Sequence, residues 1–162
     1  MKFLEKDLED VVMSLNQEQM KSVGLDFLLN DPNYKKIRQL KIGNYGISDI
    51  VYVAKVNLFK RGSFLDIHVV ELKKDVISMS AFIQLNRYMV GISEYLTKRG
   101  IEHVIQGVLI GNDFGHNQDF CYVTNFSEIK FYTYNYEWNG ISFNHRQGFV
   151  LIDEGFDKRQ KK

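Results

Sequence analysis

Apolar residues recur at helical spacing near the start of the chain. Leu4, Leu8, Val11 and Leu15 are separated by four, three and four positions, which places them on one stripe of a helix. The pattern predicts an amphipathic helix over residues 3–20.

Three segments that follow have the composition of β-strands. Residues 36–42 alternate weakly between apolar and polar side chains, as an edge strand does. Residues 47–53 and 64–72 are dense in β-branched and aromatic side chains, which is typical of buried strands. A short turn that contains Gly62 joins the last two, so they are predicted to form an antiparallel hairpin.

The helical spacing returns over residues 78–98, and Gly100 follows where a left-handed cap would end a helix. The next apolar segment, 103–110, is predicted to be a strand that returns parallel to its predecessor through this helix. Together these elements predict an α/β fold with a mixed β-sheet flanked by helices.

The last predicted element is a C-terminal β-hairpin. Asn139-Gly140 is the dipeptide that a two-residue type I′ turn favours, and it separates predicted strands at 129–138 and 141–146.

The first of these two strands alternates aromatic and polar residues, so one of its faces is predicted to be aromatic. This face could stack the bases of a nucleic acid. Packing against a helix or a second subunit is the interpretation that aromatic burial favours. The aromatic residues are Tyr132, Tyr134, Tyr136 and Trp138.

Composition bounds the class of protein. A chain of 162 residues with 44% hydrophobic residues and one proline suits one globular domain, residues 1–162, and excludes wholesale disorder. No apolar segment approaches the ~18 residues of a membrane-spanning helix, and acids near the N-terminus argue against a signal peptide, so we expect a cytoplasmic protein. The single cysteine, Cys121, excludes an internal disulfide and a multi-thiolate zinc site. The net charge of +1 neither favours nor excludes a polyanionic partner.

The candidate chemistry begins where the second buried strand ends. Side chains alternate along a strand, so Glu71 and Lys73 are predicted to share one face. Asp49 lies at the start of the neighbouring strand, about 4.8 Å away in a sheet, and its carboxylate could converge with that of Glu71 on one cation. Such a site suits phosphodiester hydrolysis, with Lys73 placed to contact the attacking water or the phosphate.

The tripeptide alone is weak evidence, because the same acid-x-lysine pattern recurs at Glu128 and Lys130. Its context distinguishes the first copy. An apolar strand precedes Glu71, an acid stands on the neighbouring strand, and a helix follows that carries Gln84 and Tyr88 four residues apart.

In order and spacing, residues 46–51 (GISDIV), 69–73 (VVELK) and 84–88 (QLNRY) resemble the PD-(D/E)XK nuclease superfamily, particularly its RecB-type and NucS-type branch. The resemblance covers roughly residues 3–111 and implies a restriction-endonuclease-like core. It also implies that a glutamate of the opening helix completes the metal site.

The resemblance implies a role for each candidate residue. Asp49, Glu71 and a helix glutamate would bind Mg²⁺, with Mn²⁺ as a substitute. Glu5 matches the pattern of that glutamate, and Glu9 is the alternative. Lys73 would be catalytic, and Gln84 and Tyr88 would place the lysine or the scissile phosphate, although Tyr88 could equally be a core residue.

The expected activity is therefore that of a metal-dependent nuclease, with DNA favoured over RNA as the substrate. Two alternatives stay open: an RNA-directed nuclease with the same site, and a module with this fold that binds nucleic acid or a partner without turnover. The chain is small for an enzyme that grips a duplex, so a homodimer or a partner subunit is a reasonable expectation.

Overall fold

The structure is a computed structural model that describes residues 4–113 and 128–146. Cys121 lies outside these residues. The described residues form an α/β fold in which a six-stranded mixed sheet carries helices on both faces. The elements in chain order are α1 (Glu5–Ser14), α2 (Gln17–Ser22), β1 (Lys35–Ile42), β2 (Gly46–Leu58), β3 (Gly62–Leu72), α3 (Met79–Thr97), β4 (His103–Gly111), β5 (Ile129–Glu137) and β6 (Gly140–Arg146).

The strands lie in the sheet in their chain order, from β1 to β6. β1, β2 and β3 are successively antiparallel, β3, β4 and β5 are parallel, and β6 is antiparallel to β5. The predicted β2–β3 hairpin and the parallel return through α3 are therefore confirmed. Because β3, β4 and β5 run the same way, their C-terminal ends lie at one edge of the sheet.

Two apolar cores lie on the two faces of the sheet. Leu8 and Val12 of α1 and Met20 of α2 pack on one face, together with Phe27 from the segment that follows. α3 packs on the other face, with Leu85 fully buried. A helix needs only one apolar stripe to cover a face of the sheet, so these helices need not be apolar on all sides. None of the helices in the described part of the chain is long and apolar enough to cross a membrane.

The prediction of one opening helix over residues 3–20 is wrong, because the structure has two helices with a break at Leu15 and Asn16. The Asn16 side chain accepts a hydrogen bond from the Gln19 backbone, and the Gln19 side chain accepts one from the Asn16 backbone. This reciprocal capping box starts a new helix in the middle of a periodic apolar pattern.

The C-terminal hairpin is confirmed, but its predicted type I′ turn is wrong. The two loop residues are Trp138 and Asn139, between paired Glu137 and Gly140. A type I′ turn needs positive φ at both loop residues, whereas here the positive φ, 129°, falls on Gly140. The glycine thus acts one position later than predicted, and Trp138 moves from a strand to the tip of the hairpin.

Gly24 joins α2 to the edge strand β6. The Val23 carbonyl accepts the Phe143 N–H at 2.7 Å, and Gly24 follows with a φ of +98°. A Cβ at this position would lie 2.0 Å from the Phe143 carbonyl oxygen. Only glycine therefore allows this close contact between the two main chains.

We predict that Gly24→Ala lowers the free energy of unfolding by about 3 kcal/mol, because backbone strain and a main-chain clash add. Gly43→Ala is the matched control, since Gly43 has a φ of +47° but no described atom within 4 Å of an added Cβ; its cost should be about 1 kcal/mol. Urea denaturation measures both values, and equal losses would contradict the role given to Gly24.

Candidate functional site

The candidate site lies where β2 begins and β3 ends. Ile50 pairs with Val70, so one further step of the same antiparallel register brings Asp49 opposite Glu71. Val51 and Val69, at alternate positions from these acids, belong to the core beneath α3. Asp49 and Glu71 therefore share the α3 face of the sheet, as the sequence predicts.

Main-chain and side-chain hydrogen bonds hold the two acids in place. Asp49 Oδ2 accepts the N–H of Leu72 at 2.8 Å. Glu71 Oε1 accepts from Lys73 Nζ at 2.7 Å, and the Glu71 residue is only 2% exposed. The other Glu71 oxygen, Oε2, is fully buried and has no hydrogen-bond partner in the described structure.

Burial and neighbouring negative charges disfavour the charged forms of both acids. Burial, followed by the charge of Asp49, raises the pKa of Glu71 to about 7, although the hydrogen bond from Lys73 opposes this shift. Burial likewise raises the pKa of Asp49. Burial works against the charged form of Lys73, but the hydrogen bond to Glu71 and the nearby acids outweigh it and raise the pKa of Lys73. The site therefore places one buried carboxylate, Glu71, and one half-buried carboxylate, Asp49, beside a single ammonium group.

The two glutamates of the opening helix have different partners in the structure. Glu5 Oε2 accepts the main-chain N–H of Lys74 at 3.4 Å, beside the site. Glu9 instead forms an ion pair with Arg38 of β1 and also accepts from Gln39. Arg38 also pairs with Asp10, so it compensates the charge of Glu9 in part, and of the two helix glutamates Glu5 is the one that accepts from the main chain directly after Lys73.

Gln84 and Tyr88 lie one turn apart on α3, and the Gln84 amide donates to the Tyr88 hydroxyl. Tyr88 is 3% exposed and belongs to the core beneath α3. Its ring packs against Gly46, where a Cβ would approach the ring within 2.8 Å, three residues before Asp49. Tyr88, held by Gln84, therefore packs against the start of β2 on the α3 face of the sheet and is a core residue.

The acids fit a divalent cation in part. Among residues 4–113 and 128–146, no three His, Cys, Asp or Glu side chains are already arranged so that they could hold an ion. Mg²⁺ does not require such a cage, because it usually takes one or two carboxylates and keeps water and phosphate in its other positions. The unpartnered oxygen of Glu71 and the neighbouring Asp49 supply hard ligands of this kind.

No protein-family model, curated protein or solved structure matches this chain. The likeness to the PD-(D/E)XK nucleases therefore rests on the order and spacing of the residues described above.

One contact beside the site was not predicted from the sequence. The Tyr134 hydroxyl of β5 donates to the Lys74 carbonyl at 2.6 Å, directly after Lys73. Tyr134 is buried, and the acids Asp75 and Glu5 contribute to raising its pKa after burial itself. The alternating aromatic pattern of β5 signalled a buried face, but it did not indicate which main chain the hydroxyl would meet.

A second polar cluster lies on the opposite face of β3, and sequence reasoning also missed it. Asp66 accepts from the Tyr34 hydroxyl and lies 2.9 Å from His68 Nε2. Both Asp66 and His68 are buried, and burial lowers the pKa of His68. The sequence signal for this cluster was the pair of polar residues, Asp66 and His68, at alternate positions of an otherwise apolar strand. The ring contacts of His68 with Phe27 and Tyr34 indicate a role in core packing.

Proposed function

We propose that this chain is a metal-dependent nuclease with a restriction-endonuclease-like core of the PD-(D/E)XK type. Asp49 and Glu71 would hold Mg²⁺ or Mn²⁺, and Glu5 would approach from α1. The substrate would be nucleic acid, with DNA favoured over RNA by the resemblance in the sequence. An RNA-directed nuclease would use the same residues.

The observation that carries the proposal is the state of Glu71. A carboxylate that is 2% exposed, has one oxygen without a hydrogen-bond partner among the described residues and lies beside a second acid is costly to the fold. A bound divalent cation would remove this cost, since it would satisfy the orphan oxygen and neutralise the repulsion. Groups arranged at the expense of stability are typical of functional sites.

Lys73 supports the same reaction. Its pKa is raised, so the amine is protonated at neutral pH and cannot act as a base. It can donate hydrogen bonds to the attacking water or to a phosphate oxygen as negative charge accumulates. When bound, Mg²⁺ would supply Lewis acidity and lower the pKa of a coordinated water.

Two observations favour a module that binds nucleic acid or a partner without turnover. No set of three metal ligands is preformed in the described residues, and Lys73 already compensates part of the charge of Glu71. In such a module the acids and the lysine would form a structural ion pair, and divalent ions would not change its stability.

Metal dependence tests the proposal. We predict that millimolar Mg²⁺ or Mn²⁺ supports cleavage of labelled DNA or RNA and raises the melting temperature, because the ion binds the folded state alone. EDTA should abolish both effects, and Asp49→Asn should remove both as well. Melting temperatures that do not respond to either metal, together with intact nucleic acid, would reject the nuclease and favour the non-catalytic module.

A further inference from the structure

An apolar groove lies on the α3 face of the sheet, between β1 and the second half of α3. Its volume is 620 Å³, which is in the range of about 300 to 1,000 Å³ that small-molecule sites occupy. None of the residues assigned to the candidate site lines it. The apolar side chains that the strands contribute to the groove are Leu40, Val51, Val53, Leu65 and Ile67.

One end of the groove is built around Gly91 of α3. A Cβ at this position would lie 2.6 Å from Tyr45 Cδ2 and 2.7 Å from Ile42 Cγ2, so glycine lets the segment between β1 and β2 pack closely on the helix. The Tyr45 hydroxyl donates to Glu94 Oε2 at 2.9 Å. Glu94 is the one acid among the described residues that line the groove, and this hydrogen bond engages its carboxylate.

The rim of the groove is positively charged. Lys41, Lys98 and Arg99 line it and are exposed, and none of them forms an ion pair with an acid in the described part of the chain. The Arg99 guanidinium lies 3.5 Å from the centre of the Tyr95 ring and donates to the Tyr95 carbonyl at 3.1 Å. The negative end of the α3 dipole, about half a charge, offsets only part of the two cations beside it. The charge of the rim therefore favours an anionic ligand.

The size and polarity of the groove favour an alkyl chain over a peptide. A helix about 10 Å in diameter fills roughly 420 Å³ per turn, so the groove holds only about one and a half turns. A docked amphipathic helix uses anchors over about two turns or more. An extended peptide would bring N–H and C=O groups that apolar side chains cannot satisfy. An alkyl chain has no such groups.

We propose that this groove binds a long-chain carboxylate, with the alkyl chain over Val51 and Val53 and the carboxylate at Lys98 and Arg99. A guanidinium offers a carboxylate two parallel N–H donors, which suits the fixed position of Arg99. Burial of the alkyl chain provides most of the affinity, so each further methylene group should tighten binding about threefold to fourfold until the groove is full. The proposal does not depend on the nuclease function.

Calorimetric titration with octanoate, decanoate and dodecanoate at pH 8 tests the proposal, because these ligands are then ionised and differ only in chain length. The Kd should fall about tenfold between octanoate and decanoate. Lys98→Gln combined with Arg99→Gln should weaken decanoate binding about fivefold and leave the binding of 1-decanol, which has no charge, unchanged.

Lys60→Gln combined with Arg61→Gln is the matched control. It removes the same two charges from exposed residues of the β2–β3 turn that do not line the groove, so decanoate should bind as it does to the wild type. Val53→Phe should block decanoate and 1-decanol alike, because the larger ring fills the groove above a half-buried position. Urea denaturation shows whether this variant is folded, and the two charge variants decide the proposal if it is not.

Three results would overturn the proposal. They are the absence of decanoate binding, a Kd that does not depend on chain length, and equal losses of decanoate affinity in the two double variants. The first of these would point to a protein partner for the groove.

Discussion

Glu71→Gln is expected to lower the rate of metal-dependent cleavage at least about 10³-fold while it stabilises the protein at neutral and higher pH. The rate falls because the amide removes one ionic metal ligand at the centre of the site. Stability rises because glutamine keeps the shape and the contact with Lys73 but removes a buried negative charge. A residue that is both essential and destabilising is not explained by a structural role.

The pH dependence of stability follows from the same carboxyl group. Its pKa is about 7 in the folded protein and 4.5 in the reference state. Between these values the unfolded chain has released the proton and the folded chain retains it, so the free energy of unfolding falls as pH rises, by at most about 1.4 kcal/mol per unit. Below pH 4.5 the contribution is fully present, and above pH 7 it is lost.

Urea denaturation of the metal-free protein between pH 5 and pH 8 checks this expectation. The wild type should lose as much as about 3 kcal/mol relative to Glu71→Gln over this interval. Glu128→Gln is the matched control, because Glu128 is the exposed acid of the second acid-x-lysine tripeptide and should show no such difference. A variant less stable than the wild type at pH 8, or one that still cleaves, would contradict the assignment of Glu71.

Lys73→Met is expected to reduce kcat by about 10² to 10³-fold with little change in nucleic acid affinity. Methionine keeps most of the aliphatic side chain but removes the ammonium that contacts Glu71 at 2.7 Å. In the wild type the hydrogen bond and charge of Lys73 oppose the upward shift of the Glu71 pKa, so the pKa of Glu71 should rise further in the variant. The acidic limb of the pH–rate profile should therefore move to higher pH.

Single-turnover kinetics across pH, with binding measured separately, distinguish this effect from unfolding. Lys130→Met, in the second tripeptide, is the control and should cleave as the wild type does. A Lys73→Met protein with wild-type kcat, or with a lower kcat but an unmoved pH profile, would show that the amine does not act at the reacting groups.

Much of the sheet could be predicted from the sequence because its central strands are rich in β-branched and aromatic residues and glycine-containing turns separate several of its strands. The order β2–β3–α3–β4 follows from local pattern and from the handedness and length of crossovers. The break at Asn16 could not be foreseen, since an asparagine within a periodic stripe is either a tolerated surface residue or a cap. The position of the turn was predicted wrongly for a similar reason. The Asn-Gly dipeptide suits two turn geometries whose loop residues differ by one position.

The candidate site was predictable in its pairing but not in its electrostatic details. Strand periodicity predicts Asp49, Glu71 and Lys73 on one face. One step beyond the observed register brings Asp49 opposite Glu71, and the Lys73 amine contacts the Glu71 carboxylate. The choice between Glu5 and Glu9 depends on Arg38, which reaches Glu9 from a strand distant in sequence. The burial of the unpartnered Glu71 oxygen among the described residues likewise arises from tertiary packing, which no local pattern specifies.

A crystal of the protein grown or soaked in Mn²⁺ tests the central claim most directly, because anomalous scattering locates the ion without reference to activity. The account predicts one anomalous peak within about 2.2 Å of carboxylate oxygens of both Asp49 and Glu71. A well-ordered site with the Lys73–Glu71 ion pair intact and no peak beside it would contradict the account.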